Sequence, residues 1–357
     1  MKQLRPKVIK GRGAVSNPPN RYATHHRESF DDGWDNGEAS VPKIQTSLNI
    51  DHSRKVIAYN DSPDVPFDRS INPYRGCEHG CIYCYARPTH AWLGHSPGLD
   101  FESQLYYKPD AVACLRRELS AAGYQCAPIA IGGITDPYQP VEQRLGLTRQ
   151  ILELLEACAH PCTLVTKSAL VERDLDLLAR MAERQLVQVM ISLTTLQRNL
   201  ARLLEPRAAA AQRRLQTIHR LSSAGIPVGV LIAPLIPVLT DPELERLMES
   251  AREAGAVSVD TILLRLPLEV APLFQEWLET HVPGQAQRVL NRIRDTRGGA
   301  LYESDFGSRM CGRGAYAELL AKRFRIAHQR LGFSELPPLS CGGFVRPSDD
   351  PRQLSLL

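Results

Sequence analysis

Short apolar runs, rich in Val and Ile, punctuate the chain at residues 70–75, 127–133, 162–167, 187–193, 227–234 and 259–265. Most are continuous rather than alternating, the pattern of strands covered on both faces. Between them the period changes. In 141–159, Leu147, Ile151, Leu154, Leu155 and Cys158 recur at helical spacing, and Leu175, Leu178 and Met181 mark one face of 171–184. Residues 209–225 and 241–254 repeat the pattern, and Thr240-Asp241 followed by Pro242-Glu243 reads as a helix start. Strands alternating with helices predict an α/β fold with a parallel sheet and right-handed crossovers. Six units fit a partial (β/α)6 TIM-like barrel, with a doubly wound sheet as the alternative. In either, the working face lies at the C-terminal ends of the strands. Residues 270–330 read as mainly helical, a cover for the barrel or its open edge, and the last 25 residues are Pro-rich and irregular.

The first 45 residues change the picture at one end. They hold few apolar residues, and Pro18-Pro19 forbids a helix there. The expected division is an arm or partly ordered collar at 1–45, a core at 46–268 and a helical C-terminal extension at 269–357. Composition is that of an ordinary globular chain, 43% hydrophobic and 23% charged over 357 residues, which excludes a disordered or fibrous protein. No apolar run reaches the ~20 residues of a membrane span, and the start lacks a signal-peptide core, so a cytoplasmic protein without membrane contact is expected. The net charge of +4 is unevenly placed. Seven basic residues and no acidic ones fall in 1–27; without those seven, 36 basic residues face 39 acidic ones. A basic arm on an acidic body suits a DNA or RNA partner, or a solvated terminus.

Nine cysteines, an odd number, argue against a disulfide framework. Three of them cluster in Asn72-Pro-Tyr-Arg-Gly-Cys77-Glu-His-Gly-Cys81-Ile-Tyr-Cys84-Tyr85, a C-x3-C-x2-C spacing. Gly76 and Gly80 suit a loop that wraps a metal. Zinc usually takes four ligands from paired knuckles, and no second C-x2-C exists, although His79 lies within the loop. A [4Fe–4S] cluster takes one thiolate per iron, so Cys77, Cys81 and Cys84 leave one iron open to a ligand.

This spacing, with an aromatic residue before the third cysteine and a place just after the first strand of a β/α series, resembles the signature of the radical S-adenosylmethionine (radical SAM) superfamily. The resemblance covers about residues 70–265. It implies a [4Fe–4S] cluster whose open iron binds S-adenosylmethionine. One electron then cleaves the cosubstrate to methionine and a 5′-deoxyadenosyl radical, which abstracts hydrogen from a substrate. It also implies an electron donor such as flavodoxin or ferredoxin. Within the superfamily the chain is similar to the branch of spore photoproduct lyase and its photolyase-like relatives, through Tyr83-Cys84-Tyr85, with His79 one position earlier than in that branch. The resemblance puts Tyr83 near adenine and Tyr85 near the substrate as a catalytic candidate. Gly132 and Gly133, with Thr135 and Asp136, match the strand end that holds the amino group of S-adenosylmethionine. Lys167, Ser192 and Arg207 become candidates for its carboxylate or ribose, and Ala233 for the backbone edge that holds adenine.

One departure matters. The hydrogen-donating cysteine of spore photoproduct lyase falls at Gly133 here, so the substrate does not carry over. Cys126 precedes its strand and is a poor substitute. Cys311 and Cys341 read as buried small hydrophobes. A non-catalytic nucleic-acid-binding protein with a structural metal loop is the alternative function.

Overall fold

A computed structural model describes residues 9–23 and 44–347. Its strands in chain order are β1 (Ser47–Ile50), β2 (Ile57–Tyr59), β3 (Arg69–Ile71), β4 (Tyr74–Arg75), β5 (Gln104–Tyr107), β6 (Ile129–Ile131), β7 (Cys162–Thr166), β8 (Val187–Ser192), β9 (Val228–Leu235) and β10 (Ser258–Leu263). The main sheet has the order β10-β9-β8-β7-β6-β3-β2. From β3 to β10 every pair is parallel and follows chain order, while β2 adds an antiparallel edge to β3. Strands laid down in sequence, with helices between them, give the expected open (β/α)6 barrel rather than a doubly wound sheet, whose order would reverse. β6 is buried throughout, as expected for a strand covered on both faces, whereas β7 and β8 alternate buried with half-buried positions, with Leu164 and Val189 on the buried face.

A collar at the start and a helical cover at the end were expected; the second sheet was not. A second sheet, β1-β5-β4, stands beside the loop that carries the clustered cysteines. Residues 9–23 form a collar against that loop, with Ala14 and Val15 in a core that also contains Ile82, Tyr83, Phe274 and Trp277. The helix Val270–His281 turns Val270, Leu273, Phe274, Trp277 and Leu278 into this core, the spacing of one helical face. The C-terminal extension therefore divides. Helices Val270–His281 and Pro283–Asp295 roof the cysteine loop, while Gly314–Leu331 joins the outer layer beside Leu244–Glu253.

Residues 333–347 of the Pro-rich tail are irregular, as expected, but fastened. Ser334, Ser340 and Val345 donate backbone hydrogen bonds to Val257, Gln185 and Cys158, so residues 334–347 strap the ends of the strands opposite the cysteine loop.

Candidate functional site: a three-cysteine loop above the strand ends

The cysteine loop is fastened mainly through its backbone. Cys77 N–H donates to Phe101 O, Ile82 N–H to Leu204 O and Cys84 N–H to Cys81 O. Gln139 brackets the first cysteine, accepting from Glu78 N–H at 2.9 Å and donating to Gly76 O at 3.2 Å. Beneath lies Arg87, with no exposed side-chain surface. Its guanidinium donates to the carbonyls of Gly80, Cys81, Pro97 and Gly98 and to Glu102 Oε1 at 2.6 Å. Glu102 is equally buried and accepts the N–H groups of Gly13 and Ala14 at 2.9 and 2.8 Å. One buried ion pair thus ties loop and collar. Gly13 is required there by close approach, since a Cβ would lie 1.7 Å from Gly80 O.

Cys77 and Cys81 are buried and Cys84 half-buried. Burial pushes all three thiols up, so metal ligation is what would strip their protons. Among the described residues no three His, Cys, Asp or Glu groups converge as a single metal ion needs. His79, the possible fourth zinc ligand, has its Nδ1 3.2 Å from Asp136 Oδ2. Three thiols on one pinned loop, wider than a single-ion site, are a donor set that fits a [4Fe–4S] cluster.

Facing the loop is a polar network at the ends of β7, β8 and β9. Lys167 Nζ donates to Ser192 Oγ at 2.5 Å, and Ser192 Oγ donates to Ala233 O at 3.1 Å. Thr194 Oγ1 donates to Glu205 Oε1 at 2.7 Å, and Tyr83 and Arg214 also donate to the Glu205 carboxylate. Burial alone would raise Glu205. Arg214, Lys167 and the hydrogen bonds outweigh it and hold the carboxyl at about 2. The same burial, beside the Glu205 charge, pushes the Tyr83 phenol well above its usual range. The expected Tyr83, Lys167, Ser192 and Ala233 are thus one constellation.

The other expected residues have different surroundings. Gly132 has φ +92°, and a Cβ would meet Pro137 Cδ at 2.5 Å and Val165 O at 2.6 Å, so packing alone requires glycine there. Thr135 is buried and donates to Tyr74 O at 3.0 Å. Asp136 accepts from Thr166 Oγ1, Lys167 N–H and Tyr138 N–H. Burial would raise it, but His79 and these donors bring it below the usual carboxylate range. Thr135 and Asp136 therefore shape the strand end. Arg207 is separated from Lys167 because it reaches Glu78 Oε1, 3.1 Å away on the cysteine loop. Tyr85 is 46% exposed and donates to Gly133 O. Gly133 keeps open space, with Phe67 Cζ the atom nearest to an added Cβ, at 3.8 Å.

Sequence reasoning missed Glu205, Arg214, Arg87 and Glu102. Nothing local distinguishes them from solvated charges. Two cations of the basic arm are engaged within the fold: Arg12 donates to Glu102 O at 2.6 Å and Ile44 O at 2.8 Å, and Arg21 pairs with Glu269 at 3.0 Å. Lys2, Arg5, Lys7 and Arg27 lie outside the described residues. Cys126, as expected, sits at the far end of the sheet, where it meets the half-buried Cys341 of the strap. Cys311 is exposed instead of buried.

A three-thiol loop over the C-terminal edge of an open parallel barrel defines a class of protein, and comparison agrees. Residues 71–251 match the radical SAM superfamily. This chain belongs to that superfamily and is a radical SAM enzyme in the general sense. It is 37% identical to an uncharacterised protein of Mycobacterium tuberculosis over 232 residues, 64% of this chain and 68% of the relative. It is 29% identical to an uncharacterised protein of Methanocaldococcus jannaschii over 48% of this chain and 62% of that one. Among solved structures it is similar in fold to spore photoproduct lyase complexed with dinucleoside spore photoproduct, with a TM-score of 0.58 and 16% identity over 82% of each chain. No helix among the described residues is long and apolar enough to cross a membrane.

Proposed function

We propose that this chain reductively cleaves S-adenosylmethionine and uses the 5′-deoxyadenosyl radical to abstract hydrogen from a substrate entering at the open edge of the barrel. The observation that carries this reading is the placement of the Cys77-Cys81-Cys84 loop directly against the Lys167–Ser192–Glu205 network. When bound, the cluster supplies the electron and S-adenosylmethionine the radical precursor. Lys167 contributes a positive charge for the cosubstrate carboxylate, held in place by Ser192 and by Glu205, 4.0 Å away. Tyr83 lies beneath, its ring centroid 5.9 Å from Lys167 Nζ. The Ala233 carbonyl offers a backbone acceptor at the end of the network. The collar and roof keep water from the buried face of the loop, which protects a radical from stray hydrogen donors. Tyr85 and Gly133 border the side where the substrate enters. A low-potential reductant such as flavodoxin or ferredoxin is the matching electron donor.

Anaerobic reconstitution tests the proposal. The wild-type chain should bind about four irons and, with dithionite and S-adenosylmethionine, release 5′-deoxyadenosine. Cys81→Ala should lose the cluster. Iron retention in that variant, or no iron in the wild type, sinks the reading.

A further inference from the structure

At the open edge of the barrel stands a guanidinium with no salt bridge of its own among the described residues; Asp64, whose charge it feels, is committed to Arg309. Arg265 follows β10 and lies across the mouth from β6. Its Cζ is 5.3 Å from the centroid of the Tyr85 ring, and Tyr85 itself reaches back to Gly133 O at the end of β6. The one hydrogen bond Arg265 makes among the described residues is weak, from Nη1 to the Met310 thioether at 3.6 Å. Its Nε is buried and has no partner.

Neighbouring arginines are differently placed. Arg309 is paired with Asp64, Arg313 with Glu303 and Arg207 with Glu78. Arg297 also has no salt bridge among the described residues, but it is 3% exposed and commits both terminal nitrogens to the carbonyls of Ser308 and Leu264. Arg265 alone in this group leaves donors free while partly desolvated. A half-buried guanidinium with unmet donors is a costly arrangement unless an anion completes it. Its planar fork suits the two oxygens of a phosphate or carboxylate. The surfaces beside it are apolar or open: Tyr85 is 46% and Ile134 42% exposed, and Gly133 leaves room above the strand end.

We propose that Arg265 is the substrate anchor, pairing with a phosphate or carboxylate group and thereby laying the adjoining part of the substrate over the exposed face of Tyr85. This rests on the reading that chemistry occurs at the cysteine loop. The cosubstrate carboxylate is not the intended anion, because Lys167 and its network already provide for it on the β7–β9 side.

The test titrates inorganic phosphate and malonate into the reconstituted full-length protein saturated with S-adenosylmethionine, following heat by calorimetry. Wild type should bind one of the two saturably, the tighter probe naming the anionic group. Arg265→Met should weaken that binding about tenfold or more, and Arg265→Lys should restore part of it, since a point charge replaces the fork. Lys322→Ala, on the outer helix Gly314–Leu331, should bind as wild type. Unchanged melting temperatures show that the variants fold. The proposal is overturned if wild type binds neither probe, or if Arg265→Met binds as wild type does. Protein that holds about four irons yet shows either result defeats the anchor and leaves the radical reading standing; protein that loads no iron defeats that reading instead.

Discussion

Changing Glu102 to Gln keeps size and shape and removes one charge from a pair in which neither side chain is exposed. Arg87 then retains its four carbonyl partners but loses its only counter-charge there. Gly13 and Ala14 lose one of the two acceptor oxygens they divide between them. Breaking a fully buried ion pair by removing one partner costs about 3–5 kcal/mol, because the remaining charge stays desolvated. At roughly 2 °C per kcal/mol, suited to a long chain, melting should fall by ~6–10 °C. The same change loosens the loop carbonyls of Gly80 and Cys81, so iron content after reconstitution should fall as well. The assay is anaerobic thermal melting with iron determination on wild type, Glu102→Gln, Arg87→Met and the double variant. Removing both charges should cost less than the sum of the single changes, by about 1–3 kcal/mol of coupling. If Glu102→Gln melts within about 2 °C of wild type and loads the same iron, the pair does not hold the loop and the reasoning fails.

Gly13→Ala should drive a methyl into Gly80 O and cost ~1–3 kcal/mol or more, whereas Gly123→Ala, with nothing within 4 Å, should melt as wild type. Lys167→Met should weaken S-adenosylmethionine binding by about 10–100-fold in anaerobic equilibrium dialysis, the worth of one charge-assisted hydrogen bond; wild-type affinity would remove Lys167 from the carboxylate site. Stability should also fall on acidification through His160. Burial outweighs its bond to Pro161 O and lowers its pKa to about 4. The unfolded chain takes up a proton near pH 6.5 that the folded state refuses, so stability is complete above pH 6.5 and declines toward pH 4 by about 1.4 kcal/mol per unit. His160→Gln should flatten the denaturant-derived slope by one proton; an unchanged slope contradicts the assignment.

What the sequence disclosed follows from the range of the forces involved. The parallel strands were legible because each writes a short local apolar run, and the cysteine loop because three cysteines lie within eight residues. Strands β1, β2, β4 and β5 have two to four residues each and partial burial, too little to form a period. Lys167 and Ser192 could be placed because each ends a recognisable strand. Glu205 and Arg207 lie just past the helix Arg198–Leu204, where a two-residue step turns one toward the strand ends and the other toward Glu78. Arg214 looks like any solvated base on an amphipathic helix until the fold brings it to Glu205.

The collar shows where part of the N-terminal charge goes. Seven cations without an acid within 1–27 suggested a polyanion partner. Yet the acids that answer Arg12 and Arg21 lie far along the chain: Glu102 borders the cysteine loop and Glu269 begins the roof helix. The guanidinium of Arg12 is partly desolvated, and burial lowers its pKa despite the nearby Glu102 charge. A group in that position helps to close the vessel. The charge asymmetry read along the chain is, at Arg12 and Arg21, a contact across the fold. A screen for substrates should therefore begin with small phosphates and carboxylates that Arg265 can reach, before polymers that the collar would have to hold.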